Sequence, residues 1–217
     1  MEKMARRDNA GAKESPGRRE PVGAQGRLTP LQTAMRDLIA ALSDPSQANA
    51  SLAARVAAVD HEVLAIVMDH GVQTEQVSIQ QILDVRRTIE MRTVALAAML
   101  RSEREAKAIV DFAVAMRREF SNSEAVMEHD IAFHSAIARA SRNPMFAMLV
   151  DSFHVVTRQT WRIGWQARPT DEDRMRSVAC HASIAEAIAD HDRVGAEAQM
   201  AKHFDNTVKM LLDSGIN

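Results

Sequence analysis

The sequence has one cysteine, Cys180, no tyrosine, two tryptophans and six phenylalanines. A lone cysteine excludes an intrachain disulfide framework and fits a reducing compartment, so a cytoplasmic protein is expected. Eight glycines and six prolines leave few chain breakers in 217 residues, and the scarcity of aromatics removes much of the usual strand vocabulary. The longest apolar run, VALAAML (94–100), falls far short of the roughly 20 residues a membrane-spanning helix needs. The N-terminus has charges but no apolar stretch, so it does not read as a secretory signal. A net charge of −2 shows none of the overall basic excess expected of a nucleic-acid coat.

Alanine, methionine, leucine, arginine and glutamate dominate, which predicts an all-α protein. Residues 1–27 hold four of the glycines, two prolines and seven Lys/Arg against four Asp/Glu, with no apolar period, and read as a disordered tail. Residues 28–75 read as a helical N-terminal segment and linker. Thr29-Pro30 caps one helix and Gly71 closes a second stretch. From 76 to 217 the pattern predicts an antiparallel bundle of about six helices. In 76–100, Ile79, Ile82, Val85, Ile89 and Val94 recur at helical spacing. Ser102 and Glu105 form a candidate capping box. SNSE (121–124) restarts a helix through Ala140, and Asn143-Pro144 starts another containing Met145, Leu149, Phe153 and Val156. RPTDED (168–173) is a turn, and Asp192 is the expected N-cap of the last helix.

The stretch DIAFH (130–134) places Asp130 and His134 four residues apart, about 40° apart in helical projection. One helix thereby presents a carboxylate and an imidazole to the same point. By itself the pair fits a surface ion pair as well as half of a metal site. His181 and His203 also lie on largely apolar stripes, 22 residues apart and roughly symmetric about a turn near Asp190–Asp192. Three imidazoles and a carboxylate suit zinc or nickel better than calcium or magnesium.

D-x-x-F-H, S-x-N-P (141–144), H-x-x-I-x-x-A-I (181–188) and A-x-x-x-M-x-x-H (196–203), preceded by ILDVRRTIEMRTVALAA (82–98), together resemble the ligand-binding domain of the FadR-type subfamily of GntR transcription regulators. The resemblance covers about residues 55–215. It implies that Asp130, His134, His181 and His203 bind a divalent cation, zinc or nickel, which helps hold a small carboxylate effector: a sugar acid, hydroxy acid or dicarboxylate. It also implies a homodimer and operator DNA as partners. Such regulators carry a winged helix-turn-helix ahead of the bundle. Its motif is not recognisable in residues 1–54, so the reader is expected to be missing or degenerate.

Arg86 shares a stripe with Ile82, Val85, Ile89 and Thr93. It reads either as an i, i+4 partner of Glu90 or as the fork that takes the effector's carboxylate, and the resemblance favours the second. Trp161 and Trp165 read as core or as the mouth of the bundle. His61, His70, His129, His154 and His191 have no counterpart in the family pattern and read mainly as surface or structural, with His154 the one placed to line a pocket. No Glu-x-x-His pair, H-E-x-x-H or G-x-S-x-G occurs, which argues against a di-iron bundle, a zinc hydrolase or a serine hydrolase. An enzyme is not expected. The two remaining readings are an effector-responsive regulator and a sensor domain without its own reader.

Overall fold

The computed structural model describes residues 61–215. The expected tail over 1–27 and the helix expected from Thr29 onward lie outside the described residues. The described chain is all α: α1 (His61–Gln73), α2 (Ile79–Leu100), α3 (Glu103–Arg118), α4 (Ser123–Ala140), α5 (Pro144–Ser152), α6 (His154–Gln166), α7 (Asp171–Ala189) and α8 (Arg193–Asp213). No described helix is long and apolar enough to cross a membrane.

The helix starts follow local chemistry. Ser102 and Glu105 form the expected reciprocal capping box at α3, and Ser78 with Gln81 forms a second one at α2. Asn143 caps α5 with Pro144 at its first position, Thr170 caps α7 and Asp192 caps α8. Gly71 does not end α1, which continues to Gln73. RPTDED is only half a turn, since Asp171 already opens α7.

Among the described residues beyond 76 there are seven helices, because the expected helix from Pro144 is broken at Phe153. Two side-chain bonds to carbonyls accompany the break. Ser152 Oγ donates to the Leu149 carbonyl at 2.6 Å, and His154 Nδ1 lies 2.8 Å from the Asp151 carbonyl. Buried Phe153 then packs with Ile82 and Val156, a small cluster that also holds Met68 and Val72 of α1.

The main core runs through α2, α3, α4, α7 and α8, with Val94, Ile109, Met116, Phe133, Ile137, Ile184, Ile188, Met200 and Phe204 all essentially inaccessible. α2 packs on α8 and α4, and α3 packs between α4 and α7. The buried face of α2 is not the one centred on Val85, which is half exposed. It runs through Ile82, Leu83, Arg86, Glu90, Thr93, Val94 and Ala97, and so carries a charged pair into the interior.

Two contacts set the level of α7 against α8. Buried Arg101, just past α2, donates to the carbonyls of Ile188 and Ala189, so a cation caps the C-terminus of α7. His191, in the turn itself, has a left-handed backbone (φ 57°) and is held by its Nδ1 bond to the Ala98 carbonyl at 2.7 Å. The turn at 190–192 is thereby fastened to the end of α2.

Glu105 caps α3 and also takes a bidentate bond from Arg142, with both contacts at 2.6 Å. Arg142 and Ser102 hold its carboxyl at about 2, against 4.5 for an unperturbed glutamate. A carboxyl depressed in this way stabilises the fold above its unfolded value and loses that contribution as pH falls through its folded value. An acid-side loss of stability between about pH 4.5 and pH 2 is expected, and Glu105→Gln removes that part of it. Ser102→Ala costs about 1 kcal/mol. Urea midpoints measured down the pH series check both, and an acid limb identical in Glu105→Gln and parent would show that this contact does not contribute.

Candidate metal and ligand site

α4 supplies Asp130 and His134, one turn apart on its inner face. α7 supplies His181, and α8 supplies His203. The clamped turn between α7 and α8 brings the last two level. The imidazole centroids lie 5.1 Å apart for His134 and His203, 4.7 Å for His181 and His203, and 5.9 Å for His134 and His181. One ring nitrogen from each of the three lies within 4.8 Å of the other two. Asp130 Oδ1 stands 2.8 Å from His181 Nε2 and 3.9 Å from His134 Nε2. The edges of Phe133 and Phe204 wall the group.

Glu90 was not singled out by sequence as part of this site, yet it is fully buried at its back. It accepts from His134 Nδ1 on one oxygen and from Arg86 Nε, at 2.6 Å, on the other. A carboxylate accepts from Nδ1–H, so the His134 proton sits on that nitrogen and Nε2 is left with its lone pair toward the other histidines. Arg86 also donates through Nη1 to Thr157 Oγ1 at 2.9 Å. The i, i+4 pair with Glu90 is therefore present, and Arg86 still lines the adjoining cavity. Only the contact with α4, 44 residues away in sequence, sets Glu90 apart from an ordinary helix-surface partner.

The electrostatics are those of a compact buried charge group. Burial opposes the Glu90 charge, but His134 and Arg86 outweigh it and hold the carboxyl below its usual range. Burial likewise opposes the Asp130 charge, and the neighbouring His181, His134 and Arg86 reverse the effect. Arg86 is pushed down by burial and up, more strongly, by Glu90 and Asp130. His203 opens onto the cavity but is deeply desolvated; burial and the two neighbouring imidazoles press its pKa well below the usual histidine range. It is thus a neutral imidazole with a lone pair to offer.

Among the described residues, His134 Nε2 and both ring nitrogens of His181 are buried without a hydrogen-bond partner. Asp130 Oδ1 is close to His181 Nε2 but off the line of a ring N–H bond. Orphaned buried nitrogens are costly, and lone pairs converging beside a carboxylate fit a divalent cation. The Glu90–His134 contact is also the kind of outer carboxylate that fixes a ligating histidine's tautomer.

Beside the group lies a cavity of about 70 Å³, walled by Arg86, Thr160, Trp161, Trp165, Arg168 and His203 among others. Trp161 and Trp165 stack at 5.8 Å, and Trp161 Nε1 donates to the Ser123 carbonyl at 2.9 Å. Arg168, placed by the sequence in a turn, adds a second cation. It donates to the Gly164 carbonyl at 2.6 Å, and burial lowers its pKa. Of the other histidines, His129 pairs with Glu119 at 3.1 Å and His191 holds the α7–α8 turn. His154 does not line the cavity.

Residues 81–206 match the FCD domain family. The chain is also similar to the HTH-type transcriptional regulator LutR of Bacillus subtilis (strain 168), with 31% identity over 137 residues, 61% of this chain and 62% of LutR. The alignment therefore spans less than two thirds of that relative.

Proposed function

The chain belongs to the FCD-domain family, and on that premise we propose that it is an effector-responsive transcription regulator of the GntR/FadR type, acting as a homodimer. In this reading Asp130, His134, His181 and His203 hold zinc or nickel. Arg86 meets the carboxylate of a small effector in the adjoining cavity. The observation that carries the reading is the convergence of orphaned imidazole nitrogens and Asp130 next to a cavity walled by a buried arginine.

The metal would supply a Lewis-acidic point for the effector's oxygens. The protein supplies the rest. Glu90 fixes His134 in the ligating tautomer, Arg86 offers charge-assisted donors, and Trp161 with Trp165 shields the cavity from water. A cavity with two cations, Arg86 and Arg168, in its wall suits a small carboxylate: a sugar acid, hydroxy acid or dicarboxylate. Effector seated between α2, α6 and α8 would shift their packing and, across a dimer, the spacing of two DNA readers.

The purified chain is incubated with fragmented host DNA at fixed physiological salt, with and without zinc and a short hydroxy acid, and the retained DNA is sequenced. Salt is held constant because phosphate contacts alone imitate binding at low ionic strength. Enrichment of one short palindromic site that responds to the acid is the expected result. No enrichment, with zinc-dependent acid binding intact, replaces the regulator by a sensor domain that borrows its reader.

A further inference from the structure

We propose that His61, Glu62 and His154 form a second site for a zinc-class divalent cation, at the surface and spanning the first turns of α1 and α6. Their donor atoms lie within 4.8 Å of one another. Glu62 stands between the two imidazoles, with Oε1 3.3 Å from His61 Nε2 and Oε2 3.9 Å from His154 Nε2. Around a tetrahedral ion with bonds of about 2.0–2.2 Å, donor atoms sit roughly 3.4 Å apart, so small side-chain rotations bring all three into place.

His154 is already arranged for ligation. Its Nδ1 lies 2.8 Å from the Asp151 carbonyl, an acceptor only, so Nδ1 carries the proton and Nε2 presents a lone pair on the side of Glu62. The two rings meet edge to face at 5.7 Å rather than stacking. Arg158, one turn further along α6, is occupied by a bidentate bond to Glu128. The side chains are 20% exposed for His154, 37% for His61 and 57% for Glu62, so water can complete the coordination. Two imidazoles, one carboxylate and an open position suit zinc and its neighbours in softness, and not calcium or magnesium.

The site has a mechanical meaning as well. α1 buries only Ala65, and it touches the rest through Met68 and Val72 on the Phe153 cluster and through Asp69, which accepts from Gln159 of α6. A cation shared by α1 and α6 would add a bond between the first turns of the two helices, beside the contacts of His61 and Glu62 with His154.

The full chain is stripped with chelator, equilibrated with zinc buffered in the low micromolar range, and its metal content per chain is measured by plasma mass spectrometry. Two zinc ions per parent chain are expected, falling to one in both His61→Ala and His154→Gln, with the remaining ion sensitive to His181→Ala. His61→Ala leaves α6 unchanged and keeps the test valid if His154→Gln perturbs folding. A parent that binds one ion, lost in His181→Ala and kept in His61→Ala and His154→Gln, overturns the inference, as does a second ion indifferent to both. A parent that binds one ion, lost in His61→Ala and His154→Gln and kept in His181→Ala, upholds it while removing the interior metal site proposed above.

Discussion

Replacing Glu90 by alanine destabilises the folded chain by about 3–5 kcal/mol, the range for breaking a buried ion pair from one side. Arg86 is 8% exposed and Glu90 is its carboxylate partner at 2.6 Å. Without Glu90, a guanidinium stays in the interior, facing a distant Asp130, and the His134 Nδ1–H loses its acceptor. For a chain of this size each kcal/mol shifts the melting temperature by about 2–4 °C, so a fall of about 6–20 °C is expected. A double replacement, Arg86→Met with Glu90→Leu, removes both charges and costs less than Glu90→Ala alone. Urea midpoints at constant slope measure both. A loss under about 1 kcal/mol in Glu90→Ala, or a double variant no better than the single one, would show that the pair is not a stabilised unit.

His181→Ala lowers bound zinc and thermal stability together. A ligand that binds only the native state stabilises it by about 2.7 kcal/mol at a hundred times its dissociation constant, or about 5–11 °C here. The variant forfeits that increment. Without metal, however, it sheds two orphaned buried nitrogens, and its chelated form falls closer to the chelated parent than its metal-loaded form does to the loaded parent. Differential scanning calorimetry with and without chelator, alongside metal content, resolves the two. Equal zinc per chain and an unchanged increment would remove His181 from the metal set. A loss of stability that is the same with and without chelator would mean that His181 is a packing residue only.

Much of the fold was readable because its signals are local. Ser102 with Glu105, Asn143 with Pro144, and Asp192 each carry their own capping chemistry within three residues. The spacing of Asp130 to His134 is equally local, and the match of His181 to His203 needs only a short turn midway. What stayed hidden depends on long-range contact. Glu90 looks like the helix-surface partner of Arg86 until α4 is laid across it. The break at Phe153 leaves no trace in the apolar period, which runs on through Phe153 and Val156 across it. Val85 and Leu83 are both apolar, and only the neighbours of α2 decide that Leu83 goes inward. Arg168 reaches the cavity from just past the end of α6, held by its bond to the Gly164 carbonyl.

The break between α5 and α6 has a consequence for how such a protein diversifies. Asp130, His134, His181 and His203 all sit on α4, α7 and α8, whereas Thr157, Thr160, Trp161, Gly164 and Trp165 bring α6 to the same cavity. One 13-residue helix, separated from its neighbour by its own start, thus forms one wall of the cavity, while Arg86, Arg168 and residues of α2, α4, α7 and α8 form the rest. Substitutions along that helix reshape its wall without touching the four residues proposed to hold the metal. Under the proposed function, a gene copy can drift along that wall while those four stay in place.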